Sequence, residues 1–230
     1  MINKYPVITI DGASGVGKST LSYAISRKLN WNFLESGYMY RIIAYYIVKY
    51  NLSLKEKKIT SLLPDIIFNF KNTHRCIKVF FQNKDISNEI HSEKISIIAS
   101  KIAVFPYIRH WLLYKQRKFR KFPGLVTNGR DMGTKVFPDA VVKIFLKKNL
   151  LERAKRRKLD LKSRGFCISK KTIINNIKDR DNRDKNRILC PLFPAKDAII
   201  IDSTSMSFQK TLEKSMDIVY KKLLNKPKIL

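Results

Sequence analysis

The sequence predicts an α/β fold in which a parallel sheet of five strands is flanked by helices. Two observations support this prediction. Short apolar runs of strand length alternate along the chain with longer segments whose apolar residues recur at helical spacing. The first run, Val7–Ile10, leads into a glycine-rich loop, after which Leu21, Ile25 and Leu29 share one helical face. Strands that alternate with helices form parallel sheets covered on both faces.

The loop after the first strand fits the phosphate-binding pattern of spaced glycines followed by Lys and Ser. Its glycines let several amide N–H groups point inward, and the start of the next helix adds partial positive charge. We therefore predict that the loop binds a nucleoside triphosphate, with Lys18 at the outer phosphates and the Ser19 hydroxyl on Mg²⁺. A chance match is the alternative, and the flanking strand and helix argue against it. The predicted triphosphate-binding residues are Gly12, Ala13, Ser14, Gly15, Val16, Gly17, Lys18, Ser19 and Thr20.

The composition is strongly basic. The chain of 230 residues can bury one substantial core, so we expect a single domain spanning residues 1–230. It carries 47 basic and 18 acidic residues, a formal net charge of +29, and such an excess can mark a nucleic-acid or membrane partner. Lys, Ile and Asn are abundant everywhere, however, which favours compositional drift over dedicated nucleic-acid binding. A polyphosphate would still be attracted by this charge.

The cysteines and histidines indicate neither a disulfide framework nor a transition-metal site. Cys76, Cys167 and Cys190 lie far apart, and the histidines are equally scattered with no acidic cluster beside them. The first strand begins almost at the N-terminus, which leaves no room for a signal segment, and no apolar run is long enough to span a bilayer. We therefore expect a soluble, cytoplasmic protein with no membrane partner.

The next elements contain one isolated charge. Trp31–Glu35 predicts a second strand, and Ser36-Gly37 predicts the turn into a helix from about Tyr38 to Tyr50. That helix is apolar nearly all round, and Arg41 is its only charge before Lys49. A guanidinium there is costly to bury unless an anion meets it. Arg41 therefore either extends to water or holds the phosphate of a second substrate.

The segment from about residue 62 to 104 predicts an insertion folded over the core. Apolar residues alternate from Ile66 to Phe70 and from Ile77 to Phe81, with a polar stretch between them, which predicts a β-hairpin. A helix from about Glu89 to Ala103 follows. Pro106 then opens another helix that runs to about Lys121.

The core resumes at Leu125–Asn128, the third predicted strand. Arg130 and Asp131 follow it, at the carboxyl end of a parallel strand, where ligands bind in open α/β sheets. The alternative to a ligand-binding role is a turn that is closed by an ion pair between Arg130 and Asp131. Val141–Leu146 and Ala198–Asp202 predict the fourth and fifth strands, and an amphipathic pattern after them predicts a closing helix.

Two helical segments before the fifth strand carry ordered arginines, each set on one helical face. A solvated face with internal ion pairs is one interpretation of such runs. Phosphate binding is the other, because arginine dominates these positions in a chain that otherwise prefers lysine, and its planar guanidinium suits phosphate oxygens. The two stripes are Arg153, Arg156 and Arg157, and Arg180, Arg183, Asp184 and Arg187.

Several longer runs resemble the bacterial cytidylate kinases, a family of nucleoside monophosphate kinases. The Gly-Arg-Asp-Met-Gly-Thr run at residues 129–134 and the Arg-Asp-Asn-Arg-Asp run at residues 180–184 are the most specific, whereas many kinases share the phosphate loop. The similarity extends over nearly the whole chain. It also includes residues 10–15, 35–41, 99–103, 105–109, 136–140 and 191–198.

The resemblance implies a P-loop kinase core with a monophosphate-binding region at about residues 36–121 and a lid with its flanking helices at about residues 150–187. It implies transfer of the γ-phosphoryl group of ATP to CMP or dCMP by a monomer, with Mg²⁺ accompanying ATP. The residues that match the family's acceptor-phosphate ligands are Arg41, Arg130 and Arg187. Those that match its sugar ligands are Ser36, Arg180 and Asp184, and those that match its cytosine ligands are Ser100, Arg109 and Asp131. The predicted catalytic residues are Lys18, Arg130, Arg157 and Arg187.

Two positions depart from the family pattern. Asn128 stands where the family generally has Asp, so a contact of that carboxylate to a magnesium-bound water or to substrate is weakened or absent. Ser19 replaces a common Gly and fits the general phosphate-loop pattern better, which adds a possible metal ligand.

The predicted chemistry needs no general base. The second ionisation of a phosphate monoester lies near pH 6, so the attacking oxygen of the acceptor is already mostly anionic at neutral pH. An Asp131 carboxylate can accept from the cytosine amino group but would oppose the uracil carbonyl, which predicts a preference for CMP over UMP. Two alternatives stay open. One is another P-loop kinase that acts on UMP, AMP or an alcohol, and the other is a basic nucleic-acid-binding protein with a vestigial loop.

Overall fold

A computed structural model describes residues 5–55, 59–61, 63–66, 68–72, 77–81 and 83–224 of the chain. The strands are β1 (Val7–Gly12), β2 (Asn32–Glu35), β3 (Asn69–Asn72), β4 (Ile77–Phe81), β5 (Lys84–Asp85), β6 (Leu125–Gly129), β7 (Val142–Lys147) and β8 (Ile199–Asp202). The helices are α1 (Lys18–Leu29), α2 (Ser36–Lys49), α3 (Glu93–Ile102), α4 (Pro106–Arg117), α5 (Leu150–Ser163), α6 (Lys170–Asn186) and α7 (Phe208–Leu224).

The main sheet has five parallel strands in the order β2-β6-β1-β7-β8. The central strand β1 is buried along its whole length, as expected for an apolar strand that is covered on both faces. Ile8 is in register with Val126 on one side and Val142 on the other. The predicted fold class is therefore confirmed.

The insertion contains the predicted hairpin. Strands β3 and β4 pair antiparallel, and the short strand β5, which the sequence did not predict, pairs with β4. Residues 73–76, which stand between β3 and β4 in the sequence and include His74 and Cys76, lie outside the described residues.

Two predicted helix boundaries are wrong, one in the insertion and one in the helix that follows it. The predicted helix from Glu89 to Ala103 is interrupted at Ser92, whose hydroxyl accepts a hydrogen bond from the Ile95 amide and caps α3. Helix α4 ends at Arg117 rather than near Lys121. The chain must leave the helix before Pro123, since the residue before a proline avoids the helical conformation.

Helices α5 and α6 pack against each other around a small apolar cluster of their own. The cluster is separate from the core beneath α2 and from the core between the sheet and helices α1 and α7. This pair is the segment that we predicted as the lid with its flanking helices. Over the described ranges, no helix combines the length and the apolar character needed to cross a membrane.

Candidate active site

A cleft of about 450 Å³ lies at the carboxyl end of the sheet, between the glycine-rich loop, the insertion and helices α5 and α6. Every residue predicted to bind the acceptor or to act in catalysis lines it. Of the nine predicted loop residues, six line the cleft: Ser14, Gly15, Gly17, Lys18, Ser19 and Thr20. Val16 lies in the core, Ala13 packs against it, and Gly12 is the last residue of β1. The other predicted residues that line it are Ser36, Arg41, Ser100, Arg109, Arg130, Asp131, Arg157, Arg180, Asp184 and Arg187.

Two glycines give the loop its shape. A Cβ atom at Gly12 would collide with the carbonyl oxygen of Leu146 in the neighbouring strand β7. Gly17 precedes α1 with a φ of 100°, a left-handed conformation that side chains rarely adopt. The loop therefore turns sharply out of β1 and presents the N-terminus of α1 to the cleft.

Lys18 is the buried cation of the loop. Its Nζ donates to the Ala13 carbonyl oxygen at 2.6 Å. Burial, with Arg130 and Arg180 nearby, lowers the pKa of Lys18 well below its usual value. An anion beside Nζ would favour the charged form. The surroundings of Lys18 are thus electrostatically suited to a phosphate group.

Ser19 and Glu35 place two oxygen atoms side by side at the edge of the loop. The Ser19 hydroxyl donates to Glu35 Oε1 at 2.9 Å. Burial raises the pKa of Glu35, partly offset by this hydrogen bond. Hydroxyl and carboxylate oxygens are the ligand type that Mg²⁺ prefers, so the pair fits that ion. The described residues contain no cluster of three acidic, histidine or cysteine side chains that could hold a metal by itself.

Arg130 and Asp131 pair with other elements rather than with each other, so the alternative of a closed turn is wrong. Arg130 Nε donates to Asp184 Oδ2 of α6 at 2.6 Å, and Asp131 accepts from Arg109 of α4. Burial opposes ionisation of Asp184, but Arg130 and Arg180 hold its pKa below the ordinary value. These pairs hold the loop after β6 between two helices.

Arg187 lies between the two carboxylates without closing a hydrogen bond to either. Its guanidinium is 3.8 Å from Asp131 and 3.9 Å from Asp184, and it donates through Nε to the Cys190 carbonyl. Its Nη2 is buried and has no hydrogen-bond partner among the described residues. An anion in the cleft could satisfy this group.

Arg41 turns into the cleft instead of extending to water. It donates to the Ile90 carbonyl and to Ser96 Oγ, and Arg180 of α6 donates to the same Oγ at 2.9 Å. Ser100, one turn further along α3, accepts from Arg183 at 3.1 Å. Arg180 and Arg183 of the stripe on α6 therefore face the insertion rather than solvent.

The stripe on α5 also faces inward in part. Arg153 donates to the Ser14 carbonyl, and the exposed Arg156 lies against Val16 and Gly17 of the loop. Arg157 has partners on every nitrogen: it binds the carboxylates of Glu93 and Asp160 and the carbonyl of His91. These contacts hold the guanidinium in the lining of the cleft.

The family model for cytidylate kinase matches residues 8–221. The chain belongs to the cytidylate kinase family. The resemblance and the predicted enzyme class, an ATP-dependent phosphotransferase, are thereby confirmed. A cytidylate kinase of Enterobacter sp. (strain 638) is 43% identical over 219 residues, which cover 95% of this chain and 96% of that protein. A cytidylate kinase of Escherichia coli (strain K12 / DH10B) is 42% identical over 219 residues, with the same coverage of 95% and 96%.

Solved kinase structures superpose more loosely. A gluconokinase from Sinorhizobium meliloti 1021 aligns with a TM-score of 0.44 and 13% identity, over 94% of this chain and 92% of that one. A shikimate kinase from Bacteroides thetaiotaomicron aligns with a TM-score of 0.45 and 12% identity, over 95% and 98%.

The structure shows two buried or partly buried carboxylates at or beside the cleft that the sequence reasoning did not single out. Asp11 at the end of β1 is buried, and its carboxylate accepts from the amides of Met132 and Gly133, at 3.0 and 2.8 Å. Burial raises the pKa of Asp11 to about 6 although these N–H groups lower it. A signal was present in the sequence, because Asp11 follows an apolar strand directly. Glu35 carries the same signal at the end of β2.

Asn128, the departure noted in the sequence, is buried and donates through Nδ2 to Ser22 Oγ at 2.8 Å. Ser22 in turn donates to the carbonyl of Lys18 at 2.7 Å. Asn128 therefore supports the first turn of α1, where an aspartate would place a carboxylate against the same hydroxyl.

Proposed function

We propose that this protein transfers the γ-phosphoryl group of ATP to CMP or dCMP and releases CDP or dCDP. The observation that supports this most directly is the convergence on one cleft of the phosphate loop, of Arg41, Arg130 and Arg187, and of the Asp131 carboxylate. The arginines suit the acceptor phosphate, and the carboxylate suits the amino group of cytosine. CMP would thus place its phosphate at the arginines and the amino group of its base at the Asp131 carboxylate.

The donor phosphates bind at the loop N–H groups and Lys18. Ser19 and Glu35 are the residues that would hold Mg²⁺, which would neutralise charge on the phosphates when bound with ATP. A direct test is the Mg²⁺ dependence of turnover. Ser19→Ala should raise the Mg²⁺ concentration at half-maximal rate about tenfold, roughly the loss of one ligand.

Catalysis is a matter of positioning and charge. The acceptor oxygen is already anionic at neutral pH, so the residues have to align two polyanions and stabilise the loose transition state. Lys18, Arg130 and Arg187 all line the cleft, where they would stabilise charge on the transferred group. Arg157, which also lines the cleft, would join them, and movement of α5 and α6 would exclude water from the site.

We also propose that the enzyme works as a cytoplasmic monomer without a nucleic-acid partner, as the resemblance implies. Size-exclusion chromatography with light scattering measures whether the protein is a monomer. Addition of single-stranded RNA to the activity assay tests for a nucleic-acid partner, since a bound RNA would compete with the nucleotides.

The function is tested by coupled ADP release with a panel of monophosphates. CMP and dCMP should give the highest kcat/KM, and UMP and AMP should give values lower by at least about tenfold. An equal rate with all four, or ADP release without any acceptor, would contradict the assignment.

A further inference from the structure

Helix α3 presents a polar face to helix α6. Glu93, Ser96 and Ser100 lie three and four residues apart, which places them on one side of α3. Each is hydrogen-bonded to the facing helix. The three pairs are Glu93–Asn176 at 3.3 Å, Ser96–Arg180 at 2.9 Å and Ser100–Arg183 at 3.1 Å.

Ser96 differs from its two neighbours because it serves two arginines from two different elements. Its buried Oγ accepts from Arg180 of α6 at 2.9 Å and from Arg41 of α2 at 3.3 Å. A hydroxyl oxygen has two lone pairs, so both bonds can form at once. The two guanidinium groups are thus fixed relative to each other by one oxygen atom.

Carboxylates act on these two arginines from beyond ion-pair distance, Glu35 and Glu93 on Arg41 and Asp184 on Arg180. Within the described ranges, neither guanidinium lies within 4.0 Å of a carboxylate, whereas Arg109, Arg130 and Arg157 each have such a partner. Loss of hydration, with Arg157 nearby, lowers the pKa of Arg41 to about 10. Loss of hydration, with Arg130 nearby, lowers the pKa of Arg180 to about 9. An anion between them is electrostatically favoured.

We propose that Ser96 is a positioning residue that aligns Arg41 and Arg180 for the acceptor nucleotide, and the proposal rests on the function proposed above. A neutral hydroxyl fixes the two cations without neutralising them. A carboxylate at this position would fix them equally well but would take the place of the substrate anion. An alanine would leave both charges intact and unaligned.

These differences define a set of variants. Ser96→Ala removes the shared acceptor, Ser96→Thr keeps it, and Ser96→Asp replaces it with a charge. A cavity of about 30 Å³ beside Ser96 offers room for the extra methyl group of threonine. Ser215→Ala is the matched control, because Ser215 is fully buried in α7 and donates only to the carbonyl of Thr211.

The affinity for CMP is measured by isothermal titration calorimetry, and KM and kcat are measured in parallel. Ser96→Ala should weaken CMP binding on the order of tenfold, the value of a hydrogen bond to a charged group, and leave the KM for ATP unchanged. Ser96→Thr should restore most of the affinity. Ser96→Asp should weaken CMP binding by about a hundredfold without a loss of thermal stability, because its carboxylate pairs with both arginines.

A double-mutant cycle tests whether Ser96 acts through Arg41. Ser96→Ala should cost much less affinity in an Arg41→Lys background than in the wild type. Three results would each overturn the proposal. They are additive losses in the cycle, a Ser96→Ala variant that binds CMP as well as Ser215→Ala does, and a Ser96→Asp variant with wild-type affinity. Binding is measured directly, so an enzyme that binds CMP without phosphorylating it would contradict the proposed function and leave this test intact.

Discussion

Arg130 Nε donates to Asp184 Oδ2 at 2.6 Å and joins the loop after β6 to helix α6. Asp184 is 6% exposed, so the carboxylate compensates a charge that water cannot solvate well. It also lies 3.9 Å from Arg187. The pair connects the main sheet to helix α6 of the predicted lid, through two residues expected to hold the acceptor.

Asp184→Asn should therefore lower the free energy of unfolding. Removal of one partner of a buried ion pair costs about 3 kcal/mol, because the other charge stays buried without compensation. Urea unfolding at neutral pH measures the change. The control is Asp217→Asn on the exposed side of α7, which should change stability by less than about 0.5 kcal/mol. A similar small change for Asp184→Asn would show that the pair is not stabilising.

Lys18→Ala should remove nearly all activity and leave the fold intact. The substitution removes a cation from the expected phosphate position and also removes a buried charge whose pKa is depressed by its surroundings. Stability should therefore stay the same or rise, while kcat falls by at least about a thousandfold. ADP release and thermal melting measure the two effects. Lys155→Ala, on the exposed side of α5, is the control and should keep wild-type activity.

Asp131→Ala should reduce activity on CMP much more than on UMP. The carboxylate is held by Arg109, lies 3.8 Å from Arg187 and lines the cleft. Asp139→Ala, which removes the partner of Arg120 at a more exposed position, provides the matched control. Equal loss on CMP and UMP would count against a base-reading role for Asp131.

Asp11 should give the stability a characteristic pH dependence. Its pKa in the folded protein is about 6 against an ordinary 3.8, so the folded state binds the proton more tightly than the unfolded state. Its contribution is therefore fully present below about pH 4 and is lost as the pH rises through about 6. The wild type should lose about 1 kcal/mol more than Asp11→Asn between about pH 5 and about pH 7.5, measured by urea unfolding. Parallel curves for the two proteins would contradict the raised pKa.

The sequence allowed prediction of the elements that depend on local pattern. The five strands and the phosphate loop follow from apolar runs and from glycines next to Lys18, which are readable within a few residues. The α4 boundary was misjudged because the turn before Pro123 interrupts an otherwise helical pattern. Local pattern is therefore a good guide to strands and a weaker guide to helix ends.

The partners of charged residues were not predictable in the same way. Arg157 and Glu93 meet although they are 64 residues apart, and Arg41 meets Ser96 at a separation of 55 residues. Such pairs depend on how the insertion packs against α5 and α6, which no periodicity encodes. The resemblance to cytidylate kinases supplied the candidate substrate residues, and the hydroxyl and carboxylate partners around them required the three-dimensional structure.

The most direct measurement follows the transferred group itself. Purified protein is incubated with ATP labelled at the γ-phosphorus, Mg²⁺ and CMP, and the products are separated by ion-exchange chromatography. The label should appear in CDP, in amounts that match the ADP formed, and it should be absent from CDP with Lys18→Ala. Label found only in inorganic phosphate, with CMP unchanged, would contradict the central claim that the cleft aligns a nucleotide donor with a CMP acceptor.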